Sequence, residues 1–128
     1  MVISGKNVSR INESEDALIN ATDLFATIAD IAGTGTTEIN DSKSFKELLT
    51  NSQGYKREYV YAEIGTDNAT SDYTIRNITH KYIVFNNGSE ALYNLSEDSL
   101  ETINLLNENQ LLLSDTDDEM KEELILKL

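Results

Sequence analysis

The sequence predicts an α+β fold in which a small antiparallel sheet of three or four strands packs with a C-terminal helix and is preceded by two short helices. Three observations carry this expectation. Apolar residues recur at helical spacing early in the chain, the period turns strand-like from Tyr59, and a helix start signal stands near the C-terminus. With 128 residues, the chain is long enough to bury most of its apolar side chains.

Val2-Ile3 reads as the end of a strand, followed by a polar stretch from Ser4 to Asp16. Asn20 or Thr22 can cap the first helix, along which Leu24, Phe25, Ile28, Ile31 and Ala32 recur. Asp23 falls in its first turn, where the helix dipole favours negative charge. Gly33 stands where a left-handed residue commonly ends a helix. After a Gly/Thr loop from Thr34 to Asn40, Asp41 or Ser42 begins a second, short helix through Phe45, Leu48 and Leu49, and residues 51–56 return to loop.

Tyr59 to Ile64 alternates and is rich in β-formers. Tyr73 to Arg76 and Lys81 to Phe85 are two further strands, joined by a tight turn from Asn77 to His80. Asn87-Gly88 marks a hairpin, because both residues tolerate the positive φ of a type I′ turn, and it leads into a strand from Ala91 to Leu95. A Leu-rich segment follows, Leu105-Leu106 and Leu111 to Leu113. The last helix opens on the capping box Thr116-x-x-Glu119, with Met120, Leu124 and Leu128 as its buried stripe.

Composition narrows the function. A net charge of −13 repels phosphates, which argues against a nucleic-acid partner. Much of the acidic excess lies between Glu97 and Glu123, where Lys121 is the only base. No apolar run approaches the roughly 20 residues that span a bilayer, and the first residues lack the apolar core of a secretory signal. The sequence leaves the compartment open. Cysteine is absent, which removes disulfides, thiolate nucleophiles and Cys-based zinc sites. Proline is absent too, where average usage of about 5% would give roughly six.

Little catalytic chemistry is present. His80 is the only histidine, which excludes a His-rich metal site. Gly-x-Ser-x-Gly and the phosphate-loop signature are missing, and Gly33-Thr34-Gly35 follows a helix, so it is no dinucleotide fingerprint. The acids Asp115, Asp117, Asp118 and Glu119 lack the mid-loop glycine and spaced glutamate of an EF-hand, and read as helix N-terminal charges. The sequence therefore offers no catalytic residue and no metal site. Eight Asn-x-Ser/Thr sequons, from Asn7 to Asn94, follow from a chain rich in Asn, Ser and Thr.

Three stretches, in order, resemble the C-terminal third of sulfatases of the alkaline phosphatase superfamily. Asp23-Leu24-Phe25-Ala26-Thr27-Ile28-Ala29-Asp30-Ile31-Ala32-Gly33 resembles the family's D-[LI]-x-P-T-[LI]-x-x-[LI]-A-G helix, with Ala26 in the proline place. Asp41-Ser42-Lys43-Ser44-Phe45 is similar to the following D-G-x-S-[LF], with Ser42 in the glycine place. Ile75-Arg76, Lys81-Tyr82-Ile83 and Glu90-Ala91-Leu92-Tyr93-Asn94-Leu95 through Asn104-Leu105 resemble a [VI]-R-x-x-x-x-K-[YL]-[IV] hairpin running into E-L-Y-[DN]-L-x-x-D-P-x-E-x-x-N-L, with Ser99 replacing proline.

The resemblance implies that residues 1–56 are the helical end of a sulfatase catalytic domain and residues 57–128 a C-terminal subdomain of antiparallel sheet and helix. The family's formylglycine nucleophile, calcium ligands and sulfate-binding His and Lys have no counterpart in this chain, so the chain alone is expected to be inactive and to hold no cofactor. The role implied is structural, at the rim of a substrate pocket, with Arg76, His80 and Lys81 as the bases placed to meet an anionic substrate. The expected partner is the N-terminal sulfatase domain, or a second copy through the same docking face; the family commonly works in the periplasm or outside the cell. The alternative is a free-standing acidic interaction module of the inhibitor or immunity type, motivated by Glu97 to Glu123.

Overall fold

Helical and strand-like periods sort into two units, Met1–Arg57 and Glu58–Leu128. The computed structural model describes residues 1–51, 55, 57–67, 70–107 and 113–128.

In the first unit, α1 spans Asp23–Ile31 and ends at Gly33, whose amide donates to Asp30 O at 3.0 Å. Of the two expected caps, Thr22 holds the N-cap position without a side-chain bond, whereas Asn20 Oδ1 accepts from the Thr22 amide at 3.4 Å and the Asn20 amide donates back to Asp23 Oδ2 at 2.7 Å. The helix expected from Asp41 or Ser42 is instead a two-residue antiparallel ladder, β1 (Glu38–Ile39) with β2 (Ser42–Lys43), followed by a 3-10 turn at Lys46–Leu49.

The correction has a physical cause in α1. Ser42 Oγ accepts from Ala26 N at 2.9 Å, one of the four amides that a helix start leaves unpaired. Lys43 N donates to Asp23 Oδ1 at 2.9 Å and Phe45 N donates to Thr27 Oγ1 at 3.0 Å. Amides committed to α1 side chains cannot close a helix of their own. Phe45, Leu48 and Tyr55 then form a small core with Ala17 and Ile19, the Phe45 and Tyr55 rings meeting edge to face with centroids 6.4 Å apart. Val2-Ile3 belongs to no strand.

The second unit is a four-stranded antiparallel meander, β3 (Val60–Ile64), β4 (Asp72–Arg76), β5 (His80–Val84) and β6 (Glu90–Asn94), each strand pairing with the next. These bounds agree with the sequence-predicted strands to within a residue. The row Tyr61, Ile75, Tyr82, Leu92 crosses all four strands. Ile75, Tyr82 and Leu92 are buried from it, and Leu124 of α2 (Asp115–Lys127) completes the core, with Tyr59, Val84, Leu105, Leu106 and Leu113 packed around.

Two glycines are dictated by geometry. A Cβ on Gly65, just past β3, would lie 2.4 Å from Ser71 Cα, so no side chain fits. At the β5–β6 turn Gly88 has φ +82° while Asn87 stays at negative φ, so the expected type I′ turn gives way to a three-residue loop, Asn86 to Gly88, closed by Phe85 N donating to Ser89 O at 2.9 Å. Helix α2 starts two residues earlier than the expected capping box, whose N-cap would be Thr116. Its N-cap is Ser114, whose Oγ accepts from Asp117 N at 3.1 Å. Leu124 is fully buried and Met120 half-buried, whereas Leu128 is exposed. Leu111 and Leu112 lie outside the described residues. Among those residues no helix is long and apolar enough to cross a membrane.

Candidate functional site

Strand pleat decides which bases can act together. Arg76 pairs with Lys81, and Lys81 with Tyr93, so the three share one row and one face of the sheet. Ile75 and Tyr82, their chain neighbours, face the core beneath α2, so Arg76 and Lys81 lie on the face away from that helix. His80 belongs to the helix side. The structure therefore brings Arg76 and Lys81 together and separates His80 from them.

Lys81 is closed by a carboxylate. Its Nζ lies 2.6 Å from Glu101 Oε2, both side chains being partly exposed. Glu101 has a positive φ of 57°, a conformation that non-glycine residues seldom adopt. The loop holding it there is tied by Asp98, which accepts from Ile103 N at 2.7 Å and from Thr102 Oγ1 at 3.0 Å. The Ile103 amide chiefly holds the Asp98 carboxyl below its usual range. Arg76 is half-buried and its Nε donates to Asn77 O at 3.2 Å; among the described residues it forms no ion pair. Arg10 and Arg57 are both closed on carboxylates, Glu13 with Glu15 and Asp23 respectively.

His80 is buried at 3% exposure beneath α2. Its Nε2 lies 2.9 Å from Asp117 Oδ1, and a carboxylate there requires Nε2 to donate. Nδ1 lies 2.9 Å from Thr79 Oγ1. Asp117 also accepts from Asn94 Nδ2 at 3.0 Å and from the Ser114 hydroxyl. Burial pushes the Asp117 carboxyl up, but the bonds from His80, Ser114 and Asn94 outweigh it and leave it below its ordinary value. The network fastens the β4–β5 turn to the start of α2.

A second buried network, in the first unit, was not singled out from the sequence. The Asp23 carboxylate is fully buried and accepts from Asn20 N at 2.7 Å, Lys43 N at 2.9 Å, Tyr55 Oη at 2.9 Å and Arg57 Nε at 3.0 Å, with Arg57 Nη2 closing the pair. Burial raises its pKa and the Arg57 guanidinium with the other donors lowers it further than that. The signal was available: an acid at the head of a helix with no exposed role, matched by an arginine outside any strand. Its distance along the chain hid the pairing.

These groups hold geometry. They offer no activated nucleophile, and among the described residues no group of three or more His, Asp or Glu side chains could hold a metal ion.

Comparison with known proteins places the fold. A 2-O GAG sulfatase matches with a TM-score of 0.74 at 20% identity, covering 97% of this chain and 27% of that one. A protein solved in complex with its substrate D-glucosamine-2-N,6-O-disulfate matches at 0.62 and 23% identity, covering 83% and 22%. The phosphonate monoester hydrolase of Agrobacterium radiobacter matches at 0.60 and 20% identity, covering 81% and 23%. This chain thus spans about a quarter of the length of the solved structures it matches. No match was found among curated proteins. Residues 1–127 match the family described as N-sulphoglucosamine sulphohydrolase, C-terminal. The chain therefore belongs to that family of sulfatase C-terminal domains.

Proposed function

We propose that this chain serves as the C-terminal part of a sulfatase-type sulfuric ester hydrolase, docking on a catalytic region and bordering its substrate pocket, with no catalysis of its own. The observation that carries this reading is the inverted polarity of α1. Leu24, Phe25, Ile28 and Ile31 are 41%, 62%, 65% and 52% exposed, while the same helix buries Asp23, Ala26 and Thr27. An amphipathic helix that turns its apolar stripe to water is built to be covered. Fully covering such side chains stabilises an interface by about 1.5–3 kcal/mol each.

The occupant we assign to that face is the catalytic region, the roughly three-quarters of the matched structures that this chain does not span. On this reading residues 1–56 close the catalytic domain and residues 57–128 form the subdomain at the pocket rim. Arg76 and Lys81 would face an anionic substrate, Lys81 with its charge offset by Glu101, and His80 would act from beneath by fixing the β4–β5 turn. Calcium and formylglycine would belong to the catalytic region. The acidic-module alternative draws less support, because Asp98, Glu101, Asp117 and Glu123 are engaged inside the chain.

The chain alone should bind a hydrophobic dye and turn over neither sulfate nor phosphate esters with calcium present, and Phe25→Asp should weaken dye binding. Turnover that survives purification would sink the proposal. So would a chain that binds no dye yet binds a basic partner in a salt-sensitive way, which would favour the acidic module.

A further inference from the structure

Edge strands carry a row of backbone donors and acceptors that attract further strands, and natural sheets guard them with lysine, proline or cover. The two edges of the second unit's sheet differ in this respect. Beside β6, Leu105 N donates to Leu92 O at 2.9 Å and Asn104 Oδ1 accepts from Leu92 N at 3.0 Å, so that edge is engaged. At the other edge, β3 reads Val60-Tyr61-Ala62-Glu63-Ile64, with neither lysine nor proline and Glu63 as its one charge. Tyr61 to Ile64 are all exposed, although Tyr61 stands in the row that buries Ile75, Tyr82 and Leu92.

These five residues are complementary to themselves. Turned antiparallel about Ala62, the strand sets Val60 opposite Ile64, Tyr61 opposite Glu63 and Ala62 opposite its own copy. Apolar side chains then meet on one face, hydroxyl and carboxylate meet on the other, and the smallest side chain lies on the axis. Within one chain the Tyr61 hydroxyl donates to Glu63 Oε2 at 3.1 Å, so the pair is chemically matched. Centring on Glu63 would set two carboxylates directly opposite, which destabilises a ladder.

We propose that β3 pairs antiparallel with β3 of a second copy of this chain, about a two-fold axis through Ala62, joining two four-stranded sheets into one. Such an interface is closed, each residue meeting its complement on the other copy. It lies in the second unit and the docking face of α1 in the first, so either reading can fail alone. Because each chain carries a net charge of −13, added salt should tighten the pairing.

The absence of cysteine provides the test. Ala62→Cys introduces a single thiol that meets its own copy across the axis, where opposed Cα atoms about 4.5–5.5 Å apart are within disulfide reach. Ser89→Cys, at the exposed β5–β6 turn, is the control for random collision. The chain should weigh as a dimer by light scattering, and Ala62→Cys should give a reducible dimer well ahead of Ser89→Cys. Ala62→Lys sets like charges opposite on an exposed position and should give a monomer with unchanged circular dichroism. A monomeric chain, or Ala62→Cys crosslinking no faster than the control, overturns the proposal. A dimer that survives Ala62→Lys but is lost with Phe25→Asp also overturns it and moves the contact to α1.

Discussion

Asp23 and Asp117 are carboxylates that folding removes from water, and each keeps its charge because donors converge on it. Truncating Asp23 leaves the Arg57 guanidinium, the Tyr55 hydroxyl and two backbone amides without their acceptor. Asp23→Ala should therefore cost about 3 kcal/mol of stability, measured as a lower midpoint of urea denaturation. Asp117 predicts a pH dependence. Its folded pKa lies below the ordinary 3.8, so its contribution is complete above that value and is lost as pH falls through the folded pKa. Melting temperature should drop on acidification below about pH 4 and drop less steeply in Asp117→Asn; equal slopes would mean that Asp117 is not a source of the acid sensitivity.

At the scale of elements, helix starts and strand rows explain where side chains end up. Ser114 supplies the side-chain cap of α2, while its hydroxyl also reaches the Asp117 carboxylate. Ser114→Ala should lower stability by about 1 kcal/mol in the same denaturation experiment, and an unchanged midpoint would show the cap to be idle. The four strands were legible because alternation and β-branched residues report a half-covered sheet directly. The second short helix was misread because Ser42, Lys43 and Phe45 place their polar groups on α1, a contact no local pattern contains. The Asn87-Gly88 turn was found but its type was not, since one added loop residue, Asn86, relieves Asn87 of a positive φ.

At the scale of the whole molecule, a chain of 128 residues with two small cores exposes Leu24, Phe25, Ile28 and Ile31 on one helix and a bare strand on another element. We propose both features as surfaces for partners: the catalytic region on α1 and a second copy on β3. The sequence by itself determined the α+β class, an antiparallel sheet of three or four strands and the membership in the sulfatase C-terminal family, because periodicity and ordered motifs are local and survive in one dimension. Only the tertiary structure decided that Arg76 and Lys81 share a face while His80 is buried on the other. Only it showed that Glu101 closes Lys81, that Asp23 is held by Arg57, and that α1 turns its apolar stripe outward. The physical reason is that pairing and burial are set by distance in space, and residues 20 to 37 positions apart in the chain meet at these networks.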